Sequence, residues 1–127
     1  MKLKIHEIAD FPAFFSKFKN QKLPFKTSYK LTLLFQEISK HVDFYQEKFR
    51  ELLLEYSEKD ESGSPVPTAD GQGVVLKQDS ANEAYTKLAE LRDLDVELSD
   101  TKFLIDDFGN IELTPEEMAI LMPFIEG

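Results

Sequence analysis

Apolar residues recur along this chain in steps that change with position, and those steps divide it into elements. From 25 to 58, Leu31, Phe35, Ile38, Val42, Tyr45, Phe49, Leu52 and Tyr56 fall at alternating steps of four and three. That spacing holds an apolar seam on one side of a helix, the pattern used by coiled coils. It predicts one central helix over 25–58, a rod of roughly 50 Å. Glu37, Lys40, Asp43, Glu47, Lys48, Glu51 and Glu55 fall on its solvated face. Leu33, Phe44 and Leu54 lie off the seam and its flanks. Taken together they mark a candidate interaction surface, covered by the C-terminal segment or by another copy of the chain.

The remaining elements are shorter. Phe11, Phe14, Phe15 and Phe18 follow helical spacing, which predicts a helix over 11–20 with Asp10 offered as its N-cap and Pro12 tolerated in its first turn. Such a stripe is the core face of a helix before it is a cofactor groove. Residues 1–9 read equally as a short strand or as the run-in to that helix. Pro24 separates the two helices. Beyond the rod, Gly63 and Pro65 end the helical pattern, and 65–77 reads as a hairpin or a loop, with Ala69 to Gly73 as its turn.

Ser80 and Glu83 have capping-box spacing, so a helix is expected over 81–93, seamed by Ala81, Ala84, Leu88 and Leu91. At roughly 20 Å it covers less than half of the rod, running antiparallel along the C-terminal half while the phenylalanine helix covers the N-terminal half. Residues 95–113 alternate as brief extended segments for which the hairpin is a pairing partner. Thr114, Pro115, Glu116 and Glu117 open a last helix over 115–122. The expected fold is a single domain, 1–127, of the α+β class and predominantly α: a long central helix with shorter helices packed along it, a small hairpin with minor strands, and a short C-terminal helix.

Charge sharpens this picture. The net charge is -9, but residues 1–40 hold 8 Lys/Arg against 3 Asp/Glu, while 41–127 hold 7 against 21. The acidic majority argues against nucleic acid as a partner of the whole surface, although lysines 17, 19, 22, 26 and 30 form a local basic run. With 0 cysteines there is neither a disulfide nor a thiolate ligand. No apolar run is long enough to cross a membrane, and the first residues lack a signal-peptide core. His6 and His41 stand apart, and no nucleophile, phosphate loop or oxygen-ligand loop is discernible. Asp106, Asp107 and Glu112 read as an acidic turn. No catalytic, cofactor-binding or metal-binding residue is therefore assigned, and an enzyme is disfavoured.

Three blocks carry a resemblance. They are Lys22-Leu23-Pro24-Phe25-Lys26-Thr27-Ser28-Tyr29-Lys30-Leu31, Asp95-Val96-Glu97-Leu98, and Ile111-Glu112-Leu113-Thr114-Pro115-Glu116-Glu117 with Pro123-Phe124-Ile125. In these the chain resembles a family of small uncharacterised proteins encoded by phages and prophages of Gram-positive bacteria. The resemblance implies a viral or prophage origin and brings no activity with it; with the absence of cysteine and of a signal-peptide core, the cytoplasm of a bacterial host is the expected location. The function expected is non-enzymatic: protein-protein interaction, with a separate partner or by self-association as a homodimer, in assembly or regulation. The alternative is an acidic nucleic-acid mimic that inhibits a host nucleic-acid-binding protein.

Overall fold

The computed structural model describes residues 1–126, and the protein is of the α+β class and predominantly α. Its order is β1 (Lys2–Lys4), α1 (Ile5–Ile8), α2 (Phe11–Phe15), α3 (Phe25–Tyr56), α4 (Ala81–Arg92), β2 (Asp95–Glu97) and α5 (Pro115–Leu121). Two compact units result, Met1–Val42 with Asp95–Gly127, and Asp43–Leu94.

The first unit is organised by aromatic side chains. Phe11, Phe14 and Phe18 are buried, as are Phe103, Phe108 and Phe124. Their rings form a chain: Phe124 meets Phe11 at 5.7 Å, Phe11 meets Phe14 at 5.9 Å, Phe14 meets Phe18 at 5.1 Å, Phe18 meets Phe108 at 5.6 Å, and Phe108 meets Phe103 at 5.3 Å. Most of these contacts are edge-to-face or tilted, the arrangements that ring quadrupoles favour. Phe15 stacks on Phe35 of α3 at 4.3 Å. Under this layer α3 buries Leu31, Leu34, Ile38 and Val42.

Backbone pairing closes the same unit. Strands β1 and β2 are antiparallel, with Leu3 opposite Val96. The 95–98 segment therefore pairs with the N-terminus, which corrects its expected pairing with the 65–77 hairpin. The reason lies in its alternation: Val96 and Leu98 point into the core, and β1 supplies the free edge beside them. The amide of Phe103 donates to the carbonyl of Phe124 at 2.7 Å, and that of Glu126 donates to the carbonyl of Phe103 at 2.8 Å. Residues 105–108 form one 3-10 turn, where the acidic turn at Asp106 and Asp107 was expected, and the Asp107 carboxylate accepts the Leu104 amide at 2.8 Å.

Caps explain where helices stop. The phenylalanine helix is α only over Phe11–Phe15 and tightens to a 3-10 turn over Ser16–Phe18, shorter than the 11–20 expected, and Asp10 makes no side-chain cap bond. Thr114 and Glu117 do form a full capping box on α5, and Lys17 reaches the same Glu117 carboxylate at 2.8 Å. That lysine first, and the Thr114 amide after it, hold the Glu117 carboxyl below its ordinary range.

The second unit contains the α3 residues from Asp43 onward. Helix α4 returns antiparallel to them: Phe44 and Leu94 line one pocket, while Leu53 and Ala81 line another. Ala84 and Leu91 are its buried residues. Ser80 leaves the cap unmade, and Glu83 instead accepts the Tyr56 hydroxyl; burial first and this carboxylate second raise the tyrosine pKa.

Between the helices, three extended segments close on one another. The Glu58 amide donates to Val75 at 2.7 Å, the Val75 amide to Val66 at 2.8 Å, and the Val66 amide to Glu58 at 2.9 Å. At that level each segment has both neighbours, so no edge is left open. Two aspartates shape the connecting turns. Asp60 accepts from the Ser62 hydroxyl at 2.6 Å and from the Ser62 and Ser64 amides, and Asp70 accepts from the Thr68 hydroxyl and the Gln72 amide. Each is followed by a glycine at positive φ, Gly63 at 85° and Gly71 at 73°, as such turns require.

Replacing Phe11, whose ring meets those of Phe14, Phe15 and Phe124, tests the first unit. Phe11→Ala should cost about 3–5 kcal/mol in a urea melt, since the side chain is fully buried and its loss leaves a cavity. In the second unit, hydrogen bonds from Ser62 and then Ser64 lower the Asp60 pKa. Because its folded pKa is depressed, its contribution is complete above the ordinary carboxylate pKa and disappears as pH falls through the folded value. Amide protection factors at Ser62 and Ser64, taken against the intrinsic rate at each pH, should fall over that acidic window in the native chain, and in Asp60→Asn they should be low throughout.

Candidate interaction surface

A helix buries only one side, so the other side of α3 is where function can be sought. In the first unit that side opens with Phe25, 97% exposed, followed one turn later by Tyr29 at 67% and another turn later by Leu33 at 47%. No Asp or Glu occurs between Asp10 and Glu37, and Lys22 and Lys26 are exposed beside the stripe. Lys30 is engaged elsewhere: its ammonium hydrogen-bonds the Lys102 carbonyl and sits 4.6 Å from the Phe103 ring centroid. Glu37 accepts the Ser99 amide at 2.8 Å through one carboxylate oxygen. The open strip is thus aromatic, apolar and cationic.

In the second unit the open side of α3 has the opposite sign. Asp43, Glu47, Glu51 and Glu55 are all exposed at one per turn. Phe44 is 47% exposed and has the Lys48 ammonium 5.8 Å from its ring centroid, while Lys48 also pairs with Glu51 at 3.2 Å. Phe44 and Leu94 form the rim of a pocket of about 340 Å³ floored by Leu52 and Leu91. Leu54 is 37% exposed. Of the three residues marked from sequence, Leu33 therefore belongs to the first unit, and Phe44 and Leu54 to the second.

Sequence reasoning passed over Phe25 and Tyr29, which are more exposed than any of those three. Their signal was present: they continue the four-residue step back from Leu33 among lysines. It was obscured because Phe25 stands at the helix start, where a large apolar residue commonly packs on the preceding chain.

A third surface is an apolar cleft of about 320 Å³ in the first unit, whose walls include Ile105, Phe108, Ile111, Leu113, Met118 and Leu121. No ionisable residue lines it, so its own side chains supply no acid, base or charged anchor. Elsewhere, the carboxylates with displaced pKa values, Asp60, Asp70, Asp95, Asp100 and Glu117, are all displaced downward. Each is held ionised by hydrogen bonds or a cation, the reverse of what a general acid needs. Asp95 is tied to Lys4 at 2.8 Å and Asp100 to the Met1 ammonium at 2.9 Å, so both are structural partners across the β1–β2 end of the unit. Among the described residues no group of three or more His, Cys, Asp or Glu is placed to hold a metal ion, and no helix is long and apolar enough to cross a membrane. No protein-family model, curated protein or solved structure matches the chain.

Proposed function

We propose that this is a non-enzymatic interaction protein of a phage or prophage of Gram-positive bacteria, acting in the host cytoplasm as an assembly or regulatory factor through the open side of α3. The observation that carries this reading is the Phe25, Tyr29, Leu33 stripe, exposed at one-turn intervals and flanked by lysines. Exposed aromatic anchors bordered by charge are what partner helices and grooves recognise. Phe25 contributes next to nothing to burial, so Phe25→Ser with Tyr29→Ser should change unfolding free energy by less than about 0.5 kcal/mol per site. Chemical cross-linking in host cells should couple the native chain to a defined protein and lose that product in the double variant. An unchanged product pattern would remove the stripe from the function.

The acidic strip supports a second reading, a decoy for a host nucleic-acid-binding protein. The second unit holds 12 Asp/Glu against 6 Lys/Arg. Its four α3 carboxylates repeat about every 6 Å, a regular line of negative charge. On this reading the native chain displaces DNA from a basic DNA-binding protein in a competition assay, and a variant carrying Asn or Gln at 43, 47, 51 and 55 does not. Equal displacement by both chains would assign the effect to net charge alone and dismiss the strip.

A further inference from the structure

We infer that the partner of the open side of α3 in the first unit is an acidic amphipathic helix of another protein, packed along a second heptad seam that carries a lysine at each end. The inference rests on the proposed interaction role of that side and names its occupant. Lys26, Tyr29, Leu33, Gln36 and Lys40 follow one another at alternating steps of three and four, the spacing that keeps one row of side chains facing a companion helix. All five are exposed, and all belong to the first unit and to one continuous helix. The buried seam of α3 meets its own chain, whereas this one meets solvent, with the exposed ring of Phe25 one residue before its start.

Charge selects the occupant. Lys26 and Lys40 stand two heptads apart, roughly 21 Å along the helix, and neither has an ion-pair partner among the described residues. Lys22 shares a cleft with Asp106 and Asp107 and is left out of the seam. The only acid between Asp10 and Val42 is Glu37, which is half-buried and bound to the Ser99 amide. A companion helix therefore fits when it sets two carboxylates two heptads apart, opposite the lysines, with apolar residues between them, opposite Tyr29 and Leu33. A second copy does not fit. Parallel pairing sets each lysine against itself, and antiparallel pairing about Leu33 sets Lys26 against Lys40. A single-stranded nucleic acid would stack on Tyr29 but meets Leu33 next in the row, which offers it no ring.

The probe is a stapled helical peptide of three heptads, with leucines along one face and Glu at two positions on that face two heptads apart; a control peptide carries Lys at those two positions. Anisotropy titration with the full chain at low salt should show the Glu peptide bound at least about tenfold more tightly than the Lys peptide, and the gap should narrow as salt rises. Lys26→Glu with Lys40→Glu should reverse the preference, and Tyr29→Ser with Leu33→Ser should abolish binding of both peptides. All four positions are exposed and circular dichroism reports whether the fold is intact, so loss of binding is separable from loss of structure. No binding of either peptide, equal binding of both, or a preference that the lysine reversals leave unchanged would each overturn the inference. So would phosphatidylglycerol vesicles or oligothymidylate that bind the native chain more tightly than the Glu peptide does, or a native dimer that Leu33→Ser dissociates. A cross-linked product in host cells that needs Phe25 and Tyr29 but survives the lysine reversals would keep the interaction role and dismiss the acidic helix. Peptide binding as expected, with an unchanged product pattern in the Phe25 and Tyr29 variant, would keep the helix-binding seam and remove the stripe from the function.

Discussion

A helix of 32 residues can bury one side and must leave the other in water, and the rest of this chain answers that constraint. Its buried side takes Leu31, Leu34, Ile38 and Val42 in the first unit and Tyr56 in the second. No single segment is long enough to cover it. The first unit meets α3 with phenylalanines drawn from both ends of the chain, and the second with α4 and three extended segments. Because the covering falls to different partners, each unit has its own means of cohesion: ring contacts in one, backbone hydrogen bonds and turn carboxylates in the other.

Those two means have different physical character. The ring chain from Phe124 to Phe103 is apolar and insensitive to pH, and it joins segments about a hundred residues apart in sequence, so it forms only when the whole first unit has assembled. The closed ring of Glu58, Val66 and Val75 hydrogen bonds is local, and the hydrogen bonds that Asp60 and Asp70 accept in its turns favour their ionised forms.

The open side of α3 has a cationic, aromatic beginning and an anionic later half. On a globular surface such separation is usually blurred by alternating signs. Here Lys22 and Lys26 are exposed at its start, the carboxylates at 43, 47, 51 and 55 keep a four-residue step, and large apolar residues lie beside both. The cationic half supports an outside partner and the anionic half a mimic of a charged polymer, so the two readings differ in which half of the helix they need.

From sequence, the long helix, the α4 helix and the Thr114 start of α5 were legible, because helical period and capping chemistry are local. Leu33, Phe44 and Leu54 were legible as off-seam positions for the same reason. Leu34 was not: a straight helix of 3.6 residues per turn buries a band wider than the seven-residue seam, and Leu34 lies inside that band, fully buried. Nor could spacing reveal that Phe11 packs on Phe124, that β2 pairs with β1, or that Glu83 serves Tyr56 rather than its own cap. Those outcomes depend on which surfaces meet, and many pairings of short apolar segments have similar local energies. Only the joint packing of all of them, decided in three dimensions, selected one.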